Sequence, residues 1–89
     1  MRVVHELSNR LEAAFPASRV AIEDQSAAHA GHAGARPGGE SHFHVTVVTV
    51  AFVGRSRLER QRMVLQAVGD LMEGRIHALS ITALTPGEA

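Results

Sequence analysis

The 89-residue chain contains no cysteine, tryptophan, tyrosine or lysine. Because cysteine is absent, the chain forms no disulfide, binds no metal through thiolates of its own and has no thiol nucleophile. A metal would therefore be held by imidazole or carboxylate groups, or by thiolates that a partner protein supplies. Phenylalanine, with three copies, is the only residue of the Phe, Trp and Tyr group. Stacking of several bases of single-stranded nucleic acid is therefore not expected.

The chain also has no excess of positive or negative charge, because its nine arginines balance a total of nine aspartates and glutamates. No overall electrostatic field steers the chain toward nucleic acid or a membrane surface. The N-terminal stretch has no apolar signal-peptide region, and no apolar run approaches the roughly 18 residues that a membrane span requires. We therefore expect one cytoplasmic domain over residues 1–89, without membrane contact.

Apolar residues spaced three to four positions apart predict two helices, and spacing of two positions predicts strands. Ser56 and Glu59 have the spacing of a capping box at the start of the second helix, and Gly74 fits the residue that follows its end. Arg10 falls on the polar side of the first helix. The predicted elements are a helix over residues 2–15, strands over 19–23 and 42–49, a short turn over 51–54, a helix over 57–73, a strand over 76–83 and a frayed tail over 84–89.

Residues 27–41 have the composition of a flexible loop, with five alanines, four glycines and one proline. Such a composition does not pack a core. His29 and His32 lie three positions apart in this loop and can reach one metal if the loop turns, although two histidines without cysteine are a weak signal. His42 and His44 alternate onto the polar face of the following strand, where we expect ordinary strand residues.

Five short patterns resemble the BolA-like family, and they follow the family's order along nearly the whole chain. They are Asp24-x-Ser26-x-x-His29, Gly39-Glu40-Ser41-His42-Phe43, Phe52-x-Gly54-x-Ser56, Arg60-x-Arg62 and His77-Ala78-Leu79. The resemblance implies an α+β fold with the order α-β-β-α-α-β, in which helices pack on one face of a three-stranded sheet, similar to class II KH domains. In that order, residues 51–54 form the short additional helical turn.

The resemblance further implies a partner of a monothiol glutaredoxin that acts in iron–sulfur cluster trafficking or iron regulation. The heterodimer would share a [2Fe-2S] cluster, with thiolates from the glutaredoxin and from bound glutathione on one iron. This chain would supply His77 and one loop histidine. The pattern Asp24-x-Ser26-x-x-His matches His29, while His32 leaves that choice open. Alone, the chain is expected to be a metal-free monomer.

Each candidate ligand also has a simpler explanation. His77 shares a predicted strand face with Leu79 and Ile81, so it can be a histidine at the rim of the core that bonds to backbone. The loop histidines can be solvated. The chain also departs from the family, since Arg60-Gln61-Arg62 stands where Arg-His-Arg is common. One accessory histidine is thereby absent, and both presumed ligands remain.

A local patch of net charge +3 stands at the start of the second helix, formed by Arg55, Arg57, Arg60 and Arg62 with Glu59. The patch fits carboxylates of the glutaredoxin–glutathione pair, DNA phosphates or a solvated helix face. Some BolA-like proteins are described as DNA-binding regulators, so a transcriptional regulator with a KH-like fold is the alternative function. Zero net charge and the lack of a Gly-x-x-Gly loop between helices count against DNA. No nucleophile stands beside a paired base, so no enzyme is predicted.

Overall fold

The computed structural model describes residues 3–25, 42–74, 76 and 78–89, and it confirms the predicted α+β order. None of the helices in these ranges is long and apolar enough to cross a membrane. The similarity to class II KH domains stays a prediction. The elements are α1 Val3–Ala14, β1 Arg19–Asp24, β2 His42–Val48, a 3₁₀ turn Val50–Phe52, α2 Arg57–Val68, α3 Leu71–Gly74 and β3 Ala78–Leu84.

The three strands form one sheet in the order β1-β2-β3, so β2 is central. β1 pairs with β2 antiparallel and β2 pairs with β3 parallel. A parallel pair needs a long crossover connection, and the chain supplies it as α2 and α3. Alternation along β2 buries Phe43, Val45 and Val47 and leaves the residues between them half-buried. One face of the sheet is therefore the core face, as the period of two predicts.

Both long helices pack on this core face. Leu7 and Leu11 of α1 and Val64 and Val68 of α2 are fully buried, and they belong to the same apolar cluster as the buried residues of β2. The helix spacing of three to four residues predicted these positions because it places them on one side of each helix. The opposite face of the sheet carries no helix among the described residues.

The predicted end of the second helix is wrong. α2 ends at Val68, and α3 begins separately at Leu71. Gly69 adopts φ 60° and ψ −131°, a conformation that side-chain-bearing residues avoid. Arg10, on the polar side of α1, donates from Nη1 to the Val68 carbonyl at 2.8 Å and lies 2.6 Å from Asp70 Oδ1. A Cβ at position 69 would stand 3.0 Å from that nitrogen, so the break needs glycine.

The predicted frayed tail over 84–89 is folded. Leu84 completes β3, and a turn follows in which the Glu88 N–H donates to the Thr85 carbonyl at 3.0 Å. The Glu88 carboxylate then accepts from Thr85 N at 2.7 Å and from Arg60 Nη1 at 2.7 Å. The tail thus packs against α2 because a carboxylate near its end reaches a guanidinium on the helix.

Candidate functional site

One end of the sheet contains the end of β1 and the starts of β2 and β3, which are the strand ends next to the predicted ligands in the chain. β1 ends there at Asp24, and the next residue, Gln25, donates from its N–H to the His42 carbonyl at 2.8 Å. His42 begins β2 and is the register partner of Ala78, which begins β3. We call this the loop end of the sheet, defined by Gln25, His42 and Ala78.

The predicted ligands His29, His32 and His77 lie outside the described residues, as does the predicted flexible loop over 27–41. Their positions in the chain are nevertheless informative. Residues 26–41 connect Gln25 to His42, and His77 immediately precedes Ala78. Both histidine-bearing segments are therefore attached by the chain to the loop end of the sheet.

Two further histidines lie on the half-buried face of β2, as predicted for His42 and His44. His44 Nε2 is 3.0 Å from the Thr82 hydroxyl of β3, so this imidazole is engaged in a contact between strands. No group of three or more histidine and acidic side chains within the described ranges could hold a metal. Because the chain also lacks cysteine, any thiolate ligand of a metal at this end of the sheet would have to come from a partner.

A second candidate surface is a groove of about 370 Å³ between the start of α2 and the outer edge of β3. We call it the arginine groove. Ser56 begins α2 with the predicted capping box, since its Oγ accepts from Glu59 N at 3.1 Å and Glu59 Oε1 accepts from Ser56 N at 2.9 Å. This cap fixes where the helix starts. The groove is lined on the helix side by Arg55, Arg57, Arg60 and Gln61, and on the other side by residues 81–84 and Glu88.

Within this groove, Arg60 is a structural residue. Its side chain is only 14% exposed. Nη1 donates to the Ala83 carbonyl at 3.2 Å and to Glu88 at 2.7 Å, and Nε donates to the Arg55 carbonyl at 3.1 Å. The guanidinium carbon also lies 6.0 Å from the centre of the Phe52 ring. These contacts occupy the Arg60 guanidinium within the chain, and its place on a partner surface stays a prediction.

The other three arginines of the predicted patch are exposed. Arg55 Nη1 lies 3.6 Å from Glu59 Oε2, which partly neutralises it. Arg57 and Arg62 have no ion-pair partner within the described ranges. These two guanidinium groups remain available for an anionic partner, so the patch is half as large as its sequence suggests.

Gln61 has a role that the sequence pattern did not indicate. Its Nε2 donates to the Ile81 carbonyl at 3.2 Å, beside the bond from Arg60 to Ala83. Two neighbouring α2 side chains therefore occupy backbone acceptors on the outer edge of β3. The family resemblance identified position 61 only as the site of a missing histidine. No local sequence pattern predicts the contact between Gln61 and Ile81, which are 20 residues apart.

Comparison with known proteins decides the family. The model of the family described as BolA-like protein matches residues 11–88. The chain belongs to the BolA-like protein family. Among solved structures, BolA1 from Arabidopsis thaliana has a TM-score of 0.84 and 28% identity, and the match covers 100% of this chain and 98% of that one.

Several of the curated relatives that the chain matches are longer than the chain. SufE-like protein 1 of Arabidopsis thaliana, named chloroplastic/mitochondrial, is 37% identical over 86 residues, which cover 92% of this chain and 23% of that protein. The DNA-binding transcriptional regulator BolA of Vibrio cholerae is 45% identical over 51 residues, which cover 57% of this chain and 48% of that protein. The chain thus spans half or less of these relatives. The organellar name of the first leaves the cytoplasmic location as a prediction.

Proposed function

We propose that this BolA-like protein is a partner of a monothiol glutaredoxin and co-ligates a [2Fe-2S] cluster with it, in iron–sulfur cluster trafficking or iron regulation. The observation that carries the proposal is the parallel register of His42 with Ala78. Through it, the segment that bears His29 and His32 and the segment that bears His77 are attached to the same end of the sheet. Two imidazole ligands of one iron must come from segments that can meet.

The division of roles follows from where each segment is attached. His77 precedes a strand that pairs along its whole length with β2, so its chain neighbour Ala78 is fixed. The loop histidine, His29 or His32, belongs to a segment with four glycines, a composition that suits a ligand for a cluster arriving on another protein. The glutaredoxin and its glutathione supply the thiolates that this chain lacks. Histidine ligation of one iron raises the reduction potential above that of an all-cysteine cluster.

The test mixes the protein with a cluster-loaded monothiol glutaredoxin and records visible absorption and circular dichroism. His77→Ala should change the heterodimer spectrum, and one of His29→Ala and His32→Ala should do the same. His5→Ala is the matched control, because His5 is exposed on α1 and carries no proposed role. If all three ligand variants gave the wild-type spectrum, imidazole ligation by these residues would be excluded.

The second candidate function is DNA binding, as in the relative from Vibrio cholerae named a DNA-binding transcriptional regulator. The exposed guanidinium groups of Arg57 and Arg62, which have no ion-pair partner in the part of the chain that the structure describes, favour it. A contact to phosphates weakens as salt rises, with a slope of log K against log salt of about −0.9 per phosphate. Duplex binding measured at two salt concentrations gives this slope. In the Arg57→Ala/Arg62→Ala double variant, the slope should correspond to about two fewer phosphate contacts than in wild type. No binding at low salt would rule out this function.

A further inference from the structure

Among the described residues, no strand pairs with the outer edge of β1. Because Gln25 N donates to the His42 carbonyl, the alternation of an antiparallel ladder turns the backbone groups of residues 19, 21 and 23 toward β2. The backbone groups of Val20 and Ile22 therefore point away from the sheet. No described residue donates to or accepts from them outside the strand ladder.

The opposite edge of the sheet is protected. On β3 the outward carbonyls of Ile81 and Ala83 accept from the side chains of Gln61 and Arg60. Natural sheets commonly blunt an edge in this way, because an open edge is a template for another strand. The contrast between the two edges makes β1 the candidate for pairing.

We propose that β1 pairs antiparallel with β1 of a second copy of the chain, about a two-fold axis at Ala21. In this register Arg19 of one chain lies opposite Glu23 of the other, and Val20 lies opposite Ile22, with each pair occurring twice. Directly opposed residues share one face of a sheet and lie close enough to interact. The result is a continuous sheet of six strands, three from each chain.

The charge pattern selects this register. In antiparallel pairing across this edge, residues with outward-facing backbone groups must lie opposite each other. The two-fold axis must therefore pass through a residue, and it cannot pass between two residues. An axis at Val20 would place Arg19 opposite Ala21, and an axis at Ile22 would place Glu23 opposite Ala21. Only the axis at Ala21 opposes a guanidinium with a carboxylate. The side chains of residues 19, 21 and 23 are exposed, as the pairing requires.

The groups needed for the interface are available in the single chain. Arg19 has no ion-pair partner within the described ranges. Among the described residues, Glu23 Oε1 accepts one 3.3 Å bond from the exposed Gln25 side chain, which solvent can replace. Val20 and Ile22 are half-buried and pack at the margin of the core. A pairing of this length buries little area, so the dimer is weak and concentration-dependent, in contrast to the monomer expected from the sequence.

The test is sedimentation of the metal-free full chain from tens of micromolar to millimolar concentration. Wild type should shift toward the dimer as concentration rises. Arg19→Glu and Glu23→Arg each oppose like charges across the axis, so each variant alone should remain monomeric at every concentration. An equal mixture of the two should associate again, because one chain then presents two carboxylates and the other presents two guanidinium groups. Arg57→Glu, which makes the same charge change on α2, should behave as wild type.

A wild-type chain that stays monomeric at millimolar concentration overturns the proposal and leaves the β1 edge to a strand of some other protein. A dimer that survives both single substitutions, or single variants that fail to associate when mixed, also overturns it, because the interface would then lie elsewhere. Circular dichroism of each variant in the far ultraviolet verifies that the fold is retained. The outcome is independent of the cluster experiment, since no metal or glutaredoxin is present.

Discussion

Arg60 and Glu88 are 28 positions apart in the chain, and Nη1 of the first lies 2.7 Å from Oε1 of the second. Arg60 Nη2 lies 3.5 Å from the other carboxylate oxygen, and Thr85 N donates to Oε1 at 2.7 Å. Through the same guanidinium, α2 is also joined to the Ala83 carbonyl of β3. The pair thus holds the C-terminal turn against the arginine groove.

The Glu88 carboxylate predicts a dependence of stability on pH. The hydrogen bond from Arg60, and then the bond from the Thr85 N–H, lower the pKa of Glu88 from 4.5 to about 2. Because the folded pKa lies below the unfolded one, this group stabilises the fold above pH 4.5 and the contribution is lost as pH falls toward 2. Urea unfolding from pH 6 to pH 2 should show a shallower loss of stability in Glu88→Gln. An identical pH dependence in wild type and variant would contradict the assignment.

Removing the guanidinium should be more harmful than neutralising Glu88. Arg60→Ala leaves the Ala83 carbonyl without its donor and removes the contact with Phe52. Loss of hydrogen bonds from a charged, mostly buried group costs roughly 1–3 kcal/mol of the free energy of unfolding. Denaturant titration at neutral pH measures it, with Arg62→Ala as the control, since Arg62 is exposed and unpaired in the described ranges. Equal stability of the two variants would show that Arg60 is not structural.

Gly69 should tolerate no side chain. Alanine at this position would have to adopt φ 60° and would bring a Cβ to 3.0 Å from Arg10 Nη1, so Gly69→Ala should cost about 1–3 kcal/mol. Gly74 offers a matched control, since it ends α3 with ordinary φ and nothing lies within 4 Å of a Cβ there. Gly74→Ala should be neutral or slightly stabilising. Thermal unfolding compares them, and similar melting temperatures would refute this account of the helix break.

The capping box at the start of α2 should contribute to the free energy of unfolding independently of the arginine groove. Ser56→Ala removes the acceptor of the Glu59 N–H and should cost about 1 kcal/mol of unfolding free energy, the usual value for an N-cap. Ser56→Asp should restore most of that loss, because aspartate caps a helix as well as serine does. Denaturant midpoints of the three proteins measure the effect. A Ser56→Ala protein as stable as wild type would mean that the cap is not needed.

Local patterns predicted the elements whose stability is itself local. The alternation of Phe43, Val45 and Val47 identified β2 and its core face, and Ser56 with Glu59 identified the start of α2. The end of α2 was missed because the apolar stripe continues through Leu71, which is buried on the far side of the break. The turn at that break is stabilised by Arg10, which is distant in sequence. The local sequence around Gly69 therefore does not show why the helix ends there.

The candidate site was predictable to a similar extent. The resemblance to the family supplied His77, His29 and His32 as residues, and the strand register added that both of their segments are attached to one end of the sheet. The sequence identified the four arginines of the predicted patch. Whether each guanidinium is available to bind a partner depends on tertiary contacts. Glu88 and the backbone of Ala83 occupy Arg60, and neither partner is visible from the helix sequence alone.

The central claim is that imidazole nitrogen of this chain binds iron in the complex with a glutaredoxin. The most direct measurement is pulsed electron paramagnetic resonance of the reduced [2Fe-2S] heterodimer, which detects nitrogen nuclei bound to the cluster. The account predicts strong nitrogen couplings from two histidines in wild type and in His5→Ala, with one set missing in His77→Ala. A heterodimer spectrum without any strongly coupled nitrogen would show that no imidazole of this chain binds the cluster and would contradict the account.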